Sequence, residues 1–524
     1  MQILKIYLAM INKIMFTCCF AILGLQMSIA QLRLPAIFGD HMVLQQKQIN
    51  PVWGSATPGE TITVEINGQS QTTKSDLKGN WKVKLMPLPV GGPYRLNIAG
   101  EKSKFFFDDV LVGEVWICSG QSNMEWPVKN TNSAELAILT ANAPNIRLIT
   151  VPRVGTDQIK NDFEGAWTAC TPESVKDFSA IGYFFGRRLC DALNVPIGLI
   201  DDSWGGSAAE AWVNKDILLK DPKYNDLMAW WKDKELHYNY ELEVTNWKKS
   251  LEAWEALPSG LRNTPRPQRP GDLMSGNQRP ANIYNGVLHP TIGYGIKGVI
   301  WYQGESNAGR AYQYRDLFPL MIQNWREEWG QGDFPFYYVQ LADFQKETDM
   351  PGESSWAELR EAQTMTMDRL SNTGQAVIID LGEGRDIHPR HKQTVADRLA
   401  RWALAKDYNK GILFSGPTYQ TMQIDKGKII LTFNNVGQGL YAFDTPEPKG
   451  FAIAGEDKRF EWAEAKIISS TQMEVWSDHI SNPVAIRYAW ADNPVCNMYS
   501  RDGLPMIPFR TDDWPGITFG KTSR

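Results

Sequence analysis

The sequence predicts an α/β fold in which a parallel sheet carries helices on both faces, flanked along the chain by two all-β domains. Two observations lead to this prediction. Between residues 108 and 410, short apolar runs typical of strands buried on both faces alternate with helical patterns. Residues 31–107 consist of short strand-like runs separated by turn signals, and the helical period disappears again over residues 411–524.

The first thirty residues have the pattern of a signal peptide. Lys5 and Lys13 supply positive charge, residues 14–25 form an apolar run, and residues 28–30 (Ser-Ile-Ala) offer a cleavage site between small side chains. The apolar run is shorter than the about 20 residues that a membrane-spanning helix needs. We therefore expect residues 1–30 to be removed and the mature protein to be secreted or periplasmic.

The overall charge of the chain limits its partners. The 524 residues carry a net charge of −5 at pH 7, from 54 basic and 59 acidic side chains. A mildly acidic protein of this kind is not attracted to nucleic acid or to an anionic membrane surface. We expect neither as a partner, and the sequence leaves the oligomeric state open.

The two flanking domains are predicted from alternating strand patterns. Residues 61–66 alternate polar and apolar side chains, and Asn67-Gly68 is a typical hairpin turn. Residues 81–85 alternate again, so this N-terminal domain is expected to be a small sandwich. In the C-terminal domain, residues 428–433 and 484–490 are strand-like.

The central domain is expected to alternate strands and helices. Predicted strands lie at residues 110–118, 146–151, 195–200, 299–303, 336–341 and 376–381, and predicted helices at residues 179–194, 317–329 and 391–406. Residues 213–282 interrupt this alternation, because they are rich in Trp, Lys, Glu and Pro and are helical at first and loop-like afterwards. We interpret them as an insertion that covers or flanks the functional site.

Four polar motifs follow predicted strands of the central domain. They are residues 120–124 (Gly-Gln-Ser-Asn-Met), 203–207 (Ser-Trp-Gly-Gly-Ser), 301–307 (Trp-Tyr-Gln-Gly-Glu-Ser-Asn) and 386–389 (Asp-Ile-His-Pro). In an open α/β sheet, the carboxyl ends of the strands form the crevice where ligands bind. The position of these motifs therefore predicts a shared site.

The first three motifs offer groups that an acyl-transfer reaction uses. Ser122 follows a buried strand at a strand-to-helix turn, close to backbone N–H donors, although its neighbours do not form the G-x-S-x-G pattern of a nucleophile elbow. Gly205 and Gly206 let backbone N–H groups approach a substrate closely. The amide of Asn307 can donate to an oxyanion. Taken singly, each motif is also compatible with a helix cap or a tight turn.

The fourth motif supplies a candidate general base. His388 is one of six histidines and precedes a predicted helix. A base for a serine nucleophile is an imidazole that a carboxylate holds in place. Asp386 is the nearest carboxylate in the sequence, and Asp380 and Glu383 are alternatives. His391 is a histidine for which a structural role suffices.

Together the four motifs resemble those of the SGNH hydrolase superfamily, and more closely those of the sialate O-acetylesterase family within it. The Ser, Gly, Asn and His that name the superfamily would be Ser122, Gly205 or Gly206, Asn307 and His388. The most specific segment is residues 303–307, and further similar segments are residues 34–45, 284–286, 486–490 and 493–496. The resemblance covers nearly the whole chain after residue 30. It departs from the superfamily pattern because Asp386 lies two residues before the His, and the superfamily usually has three.

The resemblance implies an SGNH-type three-layer hydrolase domain and a secreted carbohydrate O-acetylesterase that acts on sialic acid. It makes Ser122 the nucleophile, His388 the general base and Asp386 the carboxylate behind it. The implied oxyanion donors are the N–H of Ser122, an N–H of Gly205 or Gly206, and the amide of Asn307. The residues implied to bind substrate are Gln121, Asn123, Gln303 and Glu305. No metal or cofactor is implied.

Three other functions fit parts of the same pattern. Acetylated polysaccharides such as xylan are as compatible as sialic acid with a small acyl site that faces sugar. A glycoside hydrolase would need two carboxylates flanking one bond. Glu305, Glu383 and Asp386 are candidates for that role, but their spacing selects no pair. A non-catalytic carbohydrate-binding protein would depend on the β modules alone.

Overall fold

The computed structural model of the protein describes residues 32–523. The predicted signal peptide, residues 1–30, lies outside these described residues. Within these residues, the larger of two compact units consists of Pro35–Pro51, Leu85–Arg95 and residues 107–523, and the smaller consists of Val52–Lys84, Leu96–Phe106 and residues 32–34. The domain boundaries expected near residues 107 and 410 stay predictions. No helix in residues 32–523 is long and apolar enough to cross a membrane.

Strands and helices follow one another along the described chain as listed in this paragraph. The strands are β1 (Val43–Gln45), β2 (Asn50–Ser55), β3 (Thr61–Ile66), β4 (Gln69–Lys74), β5 (Asn80–Leu85), β6 (Gly91–Ala99), β7 (Lys104–Gly120), β8 (Ala143–Thr150), β9 (Thr168–Cys170), β10 (Ile197–Asp201), β11 (Gly298–Tyr302), β12 (Phe336–Val339), β13 (Thr373–Ala376), β14 (Thr418–Asp425), β15 (Lys428–Asn434), β16 (Leu440–Ala442), β17 (Phe451–Ala454), β18 (Phe460–Trp462), β19 (Glu464–Ile467), β20 (Gln472–Trp476), β21 (Ala485–Tyr488), β22 (Met498–Ser500) and β23 (Phe509–Arg510). The α-helices are α1 (Ser122–Glu125), α2 (Ala134–Leu139), α3 (Ala180–Leu193), α4 (Lys215–Lys220), α5 (Asn225–Leu236), α6 (Tyr240–Ala256), α7 (Ala311–Trp329), α8 (Ser355–Arg369) and α9 (Lys392–Lys406).

The smaller unit contains the predicted hairpin. Strands β3 and β4 pair in antiparallel register from Thr61–Lys74 to Ile66–Gln69. Asn67 and Gly68 join them with φ angles of 47° and 77°, which a two-residue type I′ turn requires of both central residues. The apolar residues of β3 are buried and its polar residues point outward, so the alternation in the sequence correctly predicts the strand.

The larger unit is built around a mixed sheet with the strand order β13-β12-β11-β7-β10-β8-β9. Neighbouring strands are parallel except for β9, which runs antiparallel to β8. Strand β7 lies between β10 and β11, with Cys118 opposite Asp201 and Gly120 opposite Tyr302. The carboxyl ends of these three strands therefore lie side by side, and the first three polar motifs follow them.

Aromatic side chains show that helices pack on both faces of this sheet. Phe336 and Tyr337 are consecutive residues of β12 and point to opposite faces. Phe336 contacts Phe318 of α7, with ring centroids 6.1 Å apart, and Tyr337 contacts Trp402 of α9, with centroids 6.0 Å apart. Tyr337 also stacks with Trp116 of β7. The predicted combination of a sheet with packed helices is therefore confirmed.

Two stretches of the central region differ from the prediction. The strand predicted at residues 376–381 is wrong: β13, the last strand of the central sheet along the chain, ends at Ala376, and residues 377–381 do not continue it. Val377 and Ile379 are apolar because they pack into the core of the C-terminal β sheets. Helix α8 was not predicted, because the side that it buries carries polar residues such as Arg360 and Gln363 and gives no apolar period.

The C-terminal region consists of antiparallel sheets. One has the strand order β14-β15-β20-β19 and another the order β18-β17-β21-β23. Apolar residues of both sheets, such as Leu431 and Ile486, belong to one buried cluster. The strands predicted at residues 428–433 and 484–490 are confirmed as β15 and β21.

Candidate active site

The predicted nucleophile lies where β7 turns into α1. Gly120 ends the strand with φ of +134°, and a Cβ atom there would lie 2.2 Å from the carbonyl oxygen of Tyr302 in β11. Only glycine allows this approach of the two backbones. The N–H of Gln121 donates to the same carbonyl at 2.8 Å. Ser122 follows as the first residue of α1, at a helix N-terminus whose free N–H groups favour negative charge.

His388 and Asp386 complete a hydrogen-bonded chain with this serine. The Nε2 atom of His388 lies 2.8 Å from Ser122 Oγ, and its Nδ1 atom lies 3.2 Å from Asp386 Oδ1. The backbone N–H of His388 donates to the same carboxylate oxygen at 2.9 Å. The imidazole also stacks on Trp126, with centroids 5.0 Å apart and the rings inclined by 18°. The structure thus brings together the three residues predicted to be catalytic.

The two alternative carboxylates are engaged elsewhere. Asp380 pairs with Arg398 through contacts of 2.6 and 2.7 Å. Glu383 pairs with Arg390 through contacts of 2.9 and 2.8 Å. Asp386 is therefore the carboxylate that faces the Nδ1 atom of His388, although its side chain is 52 % exposed.

The two glycines after β10 differ in what their backbone N–H groups do. The N–H of Gly205 donates to the carboxylate of Glu125, and a Cβ atom on Gly205 would lie 3.2 Å from the Cβ of Ser122. The N–H of Gly206 has no hydrogen-bond acceptor within the described part of the chain. Gly206 has a φ of +72°. Of the two glycine N–H groups that were alternatives for the oxyanion donor, that of Gly206 is the one not hydrogen-bonded to another group of residues 32–523.

The side chain of Asn307 is fixed in one orientation. Its Oδ1 accepts from the N–H of Ala209 at 3.0 Å and from Gln303 Nε2 at 2.7 Å. Its Nδ2 donates to Glu210 at 2.9 Å, and Glu210 in turn pairs with Arg310 at 2.6 Å. Because these contacts hold the amide in place and the amide nitrogen has two N–H groups, the second N–H of Nδ2 is left as a donor for an oxyanion.

The side chains predicted to bind substrate lie mostly inside the protein. Gln121, Asn123 and Gln303 are buried. Gln303 donates to the carbonyl of Ser207 at 3.1 Å as well as to Asn307. Asn123 donates to Glu305 at 2.7 Å. These contacts join the motifs to one another, and the assignment to substrate binding stays a prediction.

Two acidic side chains, Asp201 at the end of β10 and Asp202 directly after it, are buried. Burial raises the pKa of Asp201 to about 6, although the N–H and hydroxyl of Ser203 donate to it. Burial raises the pKa of Asp202 well above its usual range. Burial thus disfavours the ionised form of both carboxyl groups.

Five side chains at the site were not predicted. Glu125 and Trp126 lie three and four residues after the nucleophile, so proximity in the sequence could have indicated them. Asn277 donates to the carbonyl of Gly205 from the end of the insertion, and Glu210 orients Asn307. The fifth, Lys392, is the first residue of α9, four residues after His388, and donates to Asn123.

Comparison with known proteins assigns the chain to a family. A family model described as carbohydrate esterase, sialic acid-specific acetylesterase, matches residues 278–408. Human sialate O-acetylesterase is 30 % identical over 535 aligned residues, which cover 92 % of this chain and 94 % of the human protein. The chain belongs to the sialate O-acetylesterase family. The mouse sialate O-acetylesterase is also 30 % identical, with coverage of 91 % of this chain and 94 % of the mouse protein.

A solved structure also supports an assignment as a carbohydrate esterase. A carbohydrate acetylesterase from Xanthomonas citri superposes with a TM-score of 0.79 and 38 % sequence identity, covering 92 % of this chain and all of that one. The chain is therefore a carboxylic ester hydrolase with a mixed sheet, helices and additional all-β sheets. The segment that matches the family model includes residues 303–307 and His388, and Ser122 lies outside it.

We expect the substitution Asp386→Asn in this sialate O-acetylesterase family member to lower kcat by about 10-fold. The loss is smaller than the factor on the order of 10⁴ known for a buried aspartate in a serine triad, because Asp386 is half exposed and its contact with His388 is long. Asp380→Asn, which breaks the pair with Arg398, is the matched control and should leave kcat unchanged. Steady-state rates of acetate release measure both variants. A larger loss in Asp380→Asn than in Asp386→Asn would contradict the assignment.

Proposed function

We propose that the protein is a secreted sialate O-acetylesterase that uses a Ser-His-Asp mechanism. The observation that carries the proposal is the 2.8 Å contact between His388 Nε2 and Ser122 Oγ, with Asp386 on the opposite ring nitrogen. A base in hydrogen-bond contact with a hydroxyl, and itself oriented by a third group, is the geometry of an activated nucleophile. The human and mouse relatives, which are named for sialate, support the choice of substrate.

In the acylation step, the Ser122 oxygen attacks the carbonyl carbon of the acetyl ester while His388 Nε2 takes the serine proton. The carbonyl oxygen becomes negatively charged in the tetrahedral intermediate. The N–H groups of Ser122 and Gly206 and the amide of Asn307 are the donors available to stabilise it. The intermediate collapses when its bond to the sugar oxygen breaks. His388 then gives its proton to that oxygen, so a sugar hydroxyl leaves and an acetyl-serine remains.

In the deacylation step, water takes the place of the sugar. His388 removes a proton from the water while the water oxygen attacks the acetyl carbon. The bond from that carbon to the Ser122 oxygen then breaks, and His388 returns the proton to Ser122. The products are acetate and free enzyme. Asp386 stabilises the imidazolium that forms in each half of the reaction and keeps Nδ1 protonated in the neutral form.

The fold and the organisation of the chain are part of the proposal. We place this protein in the three-layer SGNH arrangement, which the helices on both faces of the sheet support. The proposed organisation comprises a signal peptide (residues 1–30), a β domain (31–107), the hydrolase domain (108–410) with an insertion at about 213–282, and a C-terminal β domain (411–524). The charge and apolar pattern of the first thirty residues support secretion.

A substrate panel tests the choice of sugar. We expect kcat/KM for O-acetylated sialic acids to exceed that for acetylated xylo-oligosaccharides by at least about 10-fold, since a site built for one sugar loses binding contacts with another. Acetate release is measured for each substrate, with the Ser122→Ala variant as the blank. Equal or higher values for the xylo-oligosaccharides would replace sialic acid by a plant polysaccharide as the substrate. Absence of acetate release from every sugar would overturn the proposed function.

A further inference from the structure

Three polar side chains, Lys392, Asn123 and Glu305, are hydrogen-bonded in a row next to the segments that carry Ser122 and His388. Lys392 donates from Nζ to Asn123 Oδ1 at 2.5 Å. The Nδ2 atom of Asn123 donates to Glu305 Oε1 at 2.7 Å and to the carbonyl oxygen of Ile387 at 3.0 Å. One amide side chain thus accepts from a cation and donates both to a carboxylate and to the backbone next to His388.

Two of the three side chains are almost completely shielded from water, and Glu305 is partly buried. Lys392 is 0 % exposed and Asn123 is 1 % exposed. Glu305 Oε2 is buried and has no hydrogen-bond partner among residues 32–523. Burial raises the pKa of Glu305, and burial lowers the pKa of Lys392 to about 7 even though Glu305 opposes that effect. Such groups are costly to bury, so the arrangement calls for a role beyond filling space.

The ammonium group of Lys392 makes no direct ion pair in the described part of the chain. Its Nζ atom lies 5.6 Å from the ring centroid of Trp126 and 5.5 Å from that of Tyr302. Both distances are within the range of cation–π attraction. Trp126 is also the ring on which His388 stacks. Lys392 is therefore connected to His388 by two series of contacts. One runs through Asn123 and the carbonyl of Ile387, and the other through the ring of Trp126.

These contacts join the three segments whose relative positions matter for the proposed mechanism, namely those that carry Ser122, His388 and Asn307. Asn123 is the residue after Ser122, Ile387 is the residue before His388, and Glu305 opens the 3₁₀ turn Glu305–Arg310 that carries Asn307. The contact of His388 with the carboxylate of Asp386 is weak, because Asp386 is half exposed. A displacement of about 1 Å between a nucleophile and its base can cost on the order of 10²-fold in rate.

We propose that Asn123 and Lys392 are positioning residues that hold the His388 segment against the Ser122 turn, with Glu305 as the charge that balances Lys392. The proposal rests on the proposed function, in which Ser122 and His388 react. It gives Asn123 and Glu305 a role in the interior in place of the substrate contact that the sequence predicts. Neither residue then needs to touch the sugar.

The experiment compares Lys392→Met, Glu305→Gln and the double variant in the full chain. We expect Lys392→Met to lower kcat by on the order of 10- to 100-fold with KM within about 2-fold, because Ser122 and His388 lose their register while the sugar site is unchanged. Labelling of Ser122 by a fluorophosphonate should slow in parallel. The double variant should regain at least about 5-fold in kcat over Lys392→Met, because Glu305→Gln removes the unbalanced charge and keeps an acceptor for Asn123.

Two controls make the outcome decisive. Lys406→Met changes an exposed lysine at the other end of α9 and should leave kcat and KM unchanged. Ser122→Ala tests the proposed function separately: if it is inactive and Lys392→Met retains the wild-type kcat, only the positioning role is overturned. A kcat loss in Lys392→Met that the double variant deepens, or that a smaller fraction of labelled enzyme explains entirely, would also overturn it. A second variant tests the proposal if Lys392→Met fails to fold. Asn123→Asp keeps the acceptor for Lys392 and loses both N–H donors. An unchanged kcat in Asn123→Asp would overturn the proposal, and a 10- to 100-fold loss of kcat at constant KM would support it.

Discussion

We expect Ser122→Ala to lower kcat for acetyl ester hydrolysis by on the order of 10⁴-fold or more, while KM changes little. The hydroxyl is the atom proposed to form the acetyl-enzyme, and no other hydroxyl among residues 32–523 contacts His388 Nε2. Loss of the nucleophile in a serine hydrolase leaves only the rate that the oxyanion donors and substrate binding provide. Acetate release at saturating substrate measures the effect, and the unfolding temperature shows that the variant is folded.

A serine outside the site serves as the matched control. Ser174 donates to the carbonyl of Ala169 at 2.8 Å and makes no contact with His388. Ser174→Ala should therefore keep full activity, and a fluorophosphonate should label the wild-type protein and this control on Ser122 alone. A Ser122→Ala protein that retains more than about one hundredth of the wild-type kcat would exclude Ser122 as the nucleophile.

Much of the fold follows from the sequence because its central strands are buried on both faces. Strands β10 and β11 and residues 110–118 of β7 are mostly apolar and buried, and such runs are visible without knowledge of tertiary contacts. The prediction fails where an apolar or polar run serves a distant partner. The residues after Ala376 are apolar because they pack on the C-terminal sheets, and α8 buries Arg360, whose guanidinium donates to the carbonyl of Ala491.

The reacting groups of the site and the nearby Asp386 could be predicted, whereas positioning groups that lie far away in the sequence could not. Ser122, Asn307 and His388 each follow a strand or precede a helix in a recognisable motif. Glu210 meets Asn307 across 97 residues, and Lys392 meets Asn123 across 269 residues. No local pattern records such pairs. A polar residue beside a nucleophile also has the same sequence signature whether it faces substrate or the interior, and only its burial separates the two.

The second large effect is expected for Asn307→Ala, which should lower kcat by about 10² to 10³-fold with little change in KM. An amide that donates to the oxyanion stabilises the transition state more than the bound ester, so its loss appears in kcat. The contacts of Asn307 with Ala209, Gln303 and Glu210 hold this donor in place before substrate arrives. Steady-state rates over a range of ester concentrations separate kcat from KM.

Asn307→Ala also removes a buried amide that accepts two hydrogen bonds, so a loss of stability has to be separated from a loss of catalysis. Asn324 provides the matched comparison, because it is equally buried and its Oδ1 accepts from the N–H of Asn214 at 2.9 Å. Asn324→Ala should lower the free energy of unfolding by about 1–3 kcal/mol and leave kcat unchanged. If both variants lost stability to the same extent and Asn307→Ala kept its kcat, Asn307 would be a structural amide and the oxyanion would depend on backbone donors alone.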